Sequence, residues 1–319
     1  MTGNAAVFII VNPAAGGGRG GRVAWEIAAV LRAAGLNVTI RHTERKGDAE
    51  RIATEAARTS SDGNTCIAAC GGDGTVQEVA NSLAGLRASG DAGAVMALAP
   101  AGRCNDFARA LGVPKDAKGM AETILRGAAR PVDLGRVNGR FFCTVATAGA
   151  DAEITRYVDG MKMPLRGTPA YLYGASCVLS RYRGCRVTLE GDFGTFEQNV
   201  FVASTANTAL YGGAIRIAPM ADPTDGWLDL CVIDLVSKAR IITLLPRVLL
   251  GRHAGQPEVR FFRTRGFTMR SPQPIQLWAD GEPIAQTPAL VESVQDAVRI
   301  FVPGSEPRTL VRPGHGTSP

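Results

Sequence analysis

Aromatic side chains make up only 6% of this 319-residue chain and charged residues only 20%, whereas hydrophobic residues reach 45%. That balance excludes a disordered or low-complexity protein, and the 38 glycines mark turns rather than a fibrous repeat. No apolar run approaches membrane-spanning length, and the stretch from Met1 to Val11 has neither a basic leader nor a long apolar core. The expectation is therefore a cytoplasmic protein that meets membranes peripherally. Cys66 and Cys70 have ligand-like spacing, but no second Cys or His pair follows and the three histidines are far apart, so zinc is not expected. Seven scattered cysteines read as reduced core thiols. No basic motif interleaved with aromatics is present, which argues against nucleic acid. The formal net charge of +6 still suits a nucleotide or an anionic membrane surface.

At this length two domains are expected. The first third alternates strand and helix patterns. Ala6 to Val11 is a continuous apolar run, Val23, Ile27, Val30 and Leu31 recur at helical spacing, and Leu36, Val38 and Ile40 alternate as a strand. A helix from about Asp48, a strand at Cys66 to Cys70, a helix carrying Val76, Val79 and Leu83, and a strand at Val95 to Ala99 complete an α/β pattern with a parallel sheet. From about Pro131 the runs Phe141 to Ala146, Val200 to Ala203, Leu228 to Ile233 and Ile275 to Trp278 are separated by turn-forming clusters, which predicts an antiparallel β domain. Helices are expected near Pro169 to Leu179 and, if Pro246 only kinks it, at Ala239 to Leu250. The tail from 304 to 319 reads as disordered.

The segment that carries most chemistry is Gly71-Gly72-Asp73-Gly74-Thr75-Val76-Gln77, set between a strand and a helix. Glycines let backbone N–H groups approach an anion, and a helix start adds partial positive charge, so the turn suits a polyphosphate. Asp73 could hold Mg²⁺ through water and Thr75 could bond a phosphate oxygen; a plain turn with a helix cap is the simpler alternative. Two further turns follow strands of the same sheet, Asn12-Pro13-Ala14-Ala15-Gly16 with more glycines behind it, and Gly102-Arg103-Cys104-Asn105-Asp106. In open α/β sheets such turns converge outside the carboxyl ends of the strands. No Gly-Lys-Ser/Thr of a Walker loop occurs.

Taken with Asn105-Asp106-Phe107-Ala108, Tyr211-Gly212-Gly213, Ile217-Ala218-Pro219, Thr224-Asp225-Gly226-Trp227-Leu228-Asp229 and Asp280-Gly281-Glu282, these motifs make nearly the whole chain resemble the diacylglycerol kinase and sphingosine kinase family, in particular its bacterial lipid-kinase branch. The resemblance implies an α/β nucleotide-binding domain followed by an antiparallel β-sandwich, with ATP in the cleft between them. It implies boundaries of 1–134 for the first domain, completed by 295–303, and 135–294 for the second. By the same resemblance Asn12, Pro13, Ala14, Ala15, Gly16, Thr43, Gly71 to Gln77 and the position of Arg103 line the nucleotide site. Asp73 and Asp106 would organise Mg²⁺ and water. Asp280 would be the general base, with Glu282 beside it, although Asp-Gly is also a favoured hairpin turn. Relatives place an ion at positions matching Asp225 and the carbonyls of Asp222 and Trp227, where a simple turn is the rival.

Relatives usually carry Thr or Ser where this chain has Arg103, so a guanidinium directed at phosphate competes with a solvated surface residue. Lys238 to His253 mixes cations with an apolar middle and reads either as a segment lying on anionic lipid or, more simply, as a buried helix with solvated ends. Arg181, Arg183 and Arg186 read as a solvated cationic loop. The expected activity is ATP- and Mg²⁺-dependent phosphorylation of a lipid hydroxyl, with a diacylglycerol-like acceptor first and a ceramide or sphingoid base second. An NAD kinase and a non-catalytic lipid-binding protein of the same fold are the alternatives, and the oligomeric state, a homodimer included, stays open.

Overall fold

The computed structural model describes residues 6–59, 65–91, 93–126, 128–150, 153–154 and 182–304. The chain begins with β1 (Ala6–Val11), α1 (Ala15–Ala33), β2 (Asn37–His42), α2 (Asp48–Thr59), β3 (Thr65–Gly71), α3 (Asp73–Ala88) and β4 (Ala94–Pro100). The strands run parallel in the order β4-β3-β1-β2, with Val11 opposite Cys70 and Gly71 opposite Pro100. That register ends β1, β3 and β4 on one level, so the turns that follow them are neighbours. Every residue of β3 is buried, because successive side chains enter two different cores. Ile67 and Ala69 pack with Ile52, Val79 and Leu83 of α2 and α3, while Cys66 and Ala68 pack with Ile27 and Leu31 of α1.

Next come α4 (Asp106–Ala110), α5 (Ala117–Arg126), β5 (Ala128–Val137), β6 (Arg140–Phe142), β7 (Val145–Gly149), β8 (Cys185–Gly191), β9 (Gly194–Ala206) and β10 (Leu228–Asp234). The chain closes with α6 (Lys238–Leu249), β11 (Val259–Thr264), β12 (Gly266–Arg270), β13 (Gln276–Ala279), β14 (Glu282–Gln286) and β15 (Ala289–Val302). From β5 onward every strand pairing but one is antiparallel, and the core between the β layers is filled by Val187, Leu189, Val200, Leu228, Leu230 and Phe267 among others. The exception is β15. Its first part pairs with β12, while Ile300 sits parallel to Met96 of β4, so one strand belongs to both halves. β5 follows β15 antiparallel from Val137 opposite Val291 to Ala128 opposite Val302. Position 134, the boundary drawn from the sequence, therefore lies inside a strand that serves both halves.

The run Phe141 to Ala146 is not one strand. It breaks at Cys143 and Thr144, whose N–H groups leave the ladder to bond the carboxylate of Asp280. The expected helix near Pro169 to Leu179, Arg181, and the tail from 305 onward lie outside the described residues. Helix α6 forms with Pro246 inside it, and Ser237 caps its start by accepting from Arg240 N at 3.3 Å.

Candidate functional site

Three turns meet at the carboxyl edge of the parallel sheet. In the first, Asn12 N donates to Cys70 O at 2.9 Å and Asn12 Oδ1 accepts from Ala14 N at 3.0 Å, folding residues 12–15 back on themselves. Gly16, Gly17 and Gly18 follow with φ of 60°, 73° and 96°, a left-handed run that only glycine adopts cheaply. A Cβ on Gly16 would collide with the carbonyl oxygen of Ala101 in the third turn. In the second turn, Gly71 O accepts from Ala101 N at 2.9 Å and Gly102 N at 3.0 Å, and a Cβ on Gly102 would come within 2.5 Å of Gly72 Cα. The three backbones thus touch through glycines. Gly72 is the N-cap of α3 and no side chain caps that helix, which leaves its positive end open to an anion.

The predicted lining residues divide by position. Pro13 and Ala14 are exposed at the lip, Ala15 is half-buried beside them, and Thr43 N donates to Val11 O at 2.9 Å next to the first turn. Gly74 is half-buried, Thr75 and Gln77 are buried in the first turns of α3, and Val76 faces the hydrophobic core. Arg103 is exposed on the third turn and makes no hydrogen bond or ion pair with any described residue.

Carboxylates lock these turns to one another. Asn105 adopts left-handed geometry (φ 52°), and its side chain both accepts from Gly102 N at 3.0 Å and donates to Gly102 O at 2.9 Å. Asp73 Oδ2 accepts from Asn105 N at 2.9 Å and Oδ1 from Asp106 N at 2.8 Å. Asp106 in turn accepts from Gly213 N at 2.9 Å and from Arg109 at 3.1 Å, and Arg109 also donates to Gly213 O at 2.6 Å, so the third turn is fastened to the β half. Asp73, Asp106 and Cys104 bring their ligand atoms within 4.8 Å of one another. Burial, and then the charge of Asp106, raises the Asp73 carboxyl above its usual range.

On the opposite wall Asp280 and Gly281 occupy the turn between β13 and β14, both left-handed (φ 51° and 86°). The turn is a hairpin as its Asp-Gly sequence allows, and the aspartate is directed inward as well. Its carboxylate accepts from Cys143 N at 2.7 Å, from Thr144 N at 2.8 Å and from the Thr144 hydroxyl. Burial pushes its pKa up to about 6; the three hydrogen bonds oppose that rise and the charge of Asp73 adds to it, which marks the two carboxylates as neighbours. Asn207 holds the receiving loop from behind, donating to the carbonyls of Asp133 and Cys143 at 2.9 Å each. Glu282 is half-exposed and paired with Lys46, which precedes α2 in the α/β half.

The Asp222 to Trp227 turn lies further off. Asp222 Oδ1 accepts from Thr224 N and Oγ1 at 3.0 and 2.7 Å, while Asp225 accepts from Trp227 N at 3.0 Å and from Arg263 at 2.6 Å. Buried Asp133 accepts from Gly226 N at 2.7 Å and from Asp296 N at 2.8 Å, tying the turn to β5 and β15. Sequence reasoning missed Asn105, Thr144, Asn207, Lys46 and Asp133 as positioning residues. Of these only Asn105 carried a signal, its place in the quoted Asn-Asp-Phe-Ala run.

Two family models divide the chain as the fold does, a diacylglycerol kinase catalytic domain over residues 6–137 and a YegS C-terminal NAD kinase beta sandwich-like domain over residues 144–302. Among curated proteins the chain is similar to the diacylglycerol kinase of Bacillus subtilis strain 168, 30% identical over 303 residues that cover 95% of this chain and 98% of that one. It is equally similar to the diacylglycerol kinase of Mycobacterium tuberculosis H37Rv, 30% identical over 305 residues, covering 93% and 95%. A Bacillus anthracis crystal structure assigned to a diacylglycerol kinase superposes with a TM-score of 0.76 at 25% identity, covering 95% of this chain and 98% of that one.

Proposed function

Because the chain belongs to the bacterial diacylglycerol kinase family, we propose that it transfers the γ-phosphate of ATP, with Mg²⁺, to the hydroxyl of a membrane lipid. A diacylglycerol-like glycerolipid is the favoured acceptor and a ceramide or sphingoid base the second. The observation that carries the reading is Asp280, a carboxylate fixed by three donors and near enough to Asp73 of the second glycine turn to feel its charge. Phosphoryl transfer asks little covalent chemistry of a protein; it asks for in-line placement, charge neutralisation and a base near the incoming hydroxyl.

In this reading the glycine turns and the N-terminus of α3 bind the polyphosphate, and Asp280 accepts the proton of the lipid hydroxyl as it attacks. A base of pKa about 6 is ionised at neutral pH yet more basic than an ordinary aspartate. Asp73 and Asp106 fit Mg²⁺, since both present hard oxygen donors on facing turns within 4.8 Å of each other. Bound there, Mg²⁺ would neutralise charge on the phosphates. The Cys104 thiol, raised first by burial and then by the two carboxylates, stays protonated beside them. A structural cation at Asp222, Asp225 and Trp227 would have to share Asp225 with Arg263.

The test is incubation with labelled ATP, Mg²⁺ and a panel of micellar diacylglycerol, ceramide, sphingoid base and phosphatidylglycerol, with NAD as a soluble acceptor. Label in the phosphate ester of diacylglycerol is expected. Label in NAD alone, or in none of them, overturns the reading.

A further inference from the structure

Seven large hydrophobic side chains are exposed among the described residues, and five of them, Met220, Ile242, Leu245, Leu249 and Leu250, lie on or beside α6. Their exposures of 60%, 65%, 40%, 41% and 64% are too high, and too clustered, for isolated surface residues. Ile242, Leu245, Leu249 and Leu250 follow i, i+3, i+7, i+8 spacing and form one stripe. Ile241, Leu244 and Val248 are buried on the other face, where Leu244 and Val248 share a core with Val145, Val202, Ile217 and Ala218. The helix therefore has two apolar faces, and among the described residues only one is covered. Gly251 at its end is packed against Pro219 and Arg216, which brings Met220 to the same surface.

Along the two segments that form this surface the charge is of one sign. From Leu235 to Pro257 the chain has Lys238, Arg240, Arg247 and Arg252 and no carboxylate, and from Asn207 to Ala221 it has Arg216 and no carboxylate. Arg240 is turned inward to buried Glu258, whereas Arg216, Arg247 and Arg252 are exposed. We propose that α6 and the adjoining Arg216 to Met220 loop form the face that docks on an anionic lipid bilayer, with the apolar stripe entering the interface and the arginines meeting headgroups. A second copy of the chain is a poorer occupant, because a two-fold contact would set these arginines against themselves. The placement also suits the reaction, since the 211–218 segment beneath α6 carries Gly213, which binds Asp106 at the cleft.

The proposal rests on a lipid being the acceptor, and its test separates the two. Sedimentation with vesicles of phosphatidylcholine alone or with phosphatidylglycerol at 7:3 measures docking without any catalysis. The wild type should bind the mixed vesicles, and Ile242→Ser/Leu249→Ser should bind roughly tenfold more weakly. Arg247→Glu/Arg252→Glu should lose about fivefold or more per cation and remove the salt dependence. Both variants should phosphorylate a detergent-dispersed acceptor like the wild type while losing activity on a vesicle-embedded one. Equal vesicle binding by wild type and both variants overturns the proposal. So does a wild-type dimer that the substitutions dissociate while vesicle binding is unchanged. Absence of lipid phosphorylation with docking intact would instead overturn the functional reading alone.

Discussion

A carboxylate that accepts three hydrogen bonds is a weak base unless something raises it again, and at Asp280 burial does so. The sign of the resulting pH dependence follows. On the proposed role the ionised form is the active one and is lost as pH falls through about 6, so turnover should drop about tenfold per unit below that value. Thr144→Val removes one donor that favours the charged form, so its acid limb should move to higher pH in a kcat profile; an unmoved limb assigns that limb to another group. Arg103 occupies the third turn and makes no hydrogen bond or ion pair with any described residue, and we propose that its guanidinium serves a bound phosphate. On that reading Arg103→Thr weakens ATP binding roughly tenfold, about 1.4 kcal/mol for a partly solvated charge-assisted bond. Equal affinities at matched Mg²⁺ would place Arg103 outside the site.

The elements that matter most are the glycine turns, and their contacts explain why two of their glycines tolerate no side chain. Gly102→Ala would drive a Cβ into Gly72 Cα, which is backbone and cannot yield, so the second and third turns must separate. A loss of stability of about 1–3 kcal/mol by chemical denaturation, together with weaker ATP binding, is expected; Gly85→Ala in the interior of α3, where the added methyl meets nothing, is the control that should leave ATP binding unchanged and raise stability by about 0.5–1 kcal/mol. At this scale the sequence was readable where periodicity is strong. The β1 to β4 alternation and the turns behind those strands were visible because each strand and helix buries a face of its own. The break at Cys143 and Thr144 was not, since both residues sit in a strand-like run and the cause lies about 136 residues away in Asp280. The pairing of Glu282 with Lys46 was likewise hidden, because the two residues lie 236 positions apart. The sequence left two readings of the α6 segment open for a related reason: an apolar helix reads the same whether one of its faces or both are covered.

For the whole molecule, the cleft is defined by how firmly the halves are joined. β15 and β5 run through both, and buried Asn81 of α3 brackets Phe141 of β6, donating to its carbonyl and accepting from its N–H at 2.9 Å each. Asp106 to Gly213 adds a further joint at the third turn. The Lys46–Glu282 pair is the exposed member of this set, with side chains 68% and 40% accessible, and an exposed ion pair contributes little. Glu282→Gln should thus leave the melting temperature nearly unchanged and lower kcat far less than loss of Asp280. A kcat loss equal to that of the Asp280 variant would make Glu282 the proton acceptor instead.

The central claim is that Asp280 acts on the lipid hydroxyl and not on the nucleotide. Asp280→Asn separates the two when ATP affinity and single-turnover phosphoryl transfer to diacylglycerol are measured on the same preparation. ATP affinity should stay within about twofold of wild type, and transfer should slow by about two orders of magnitude or more. Transfer at near-wild-type rate, or a loss of ATP binding that accounts for the whole defect, would contradict it.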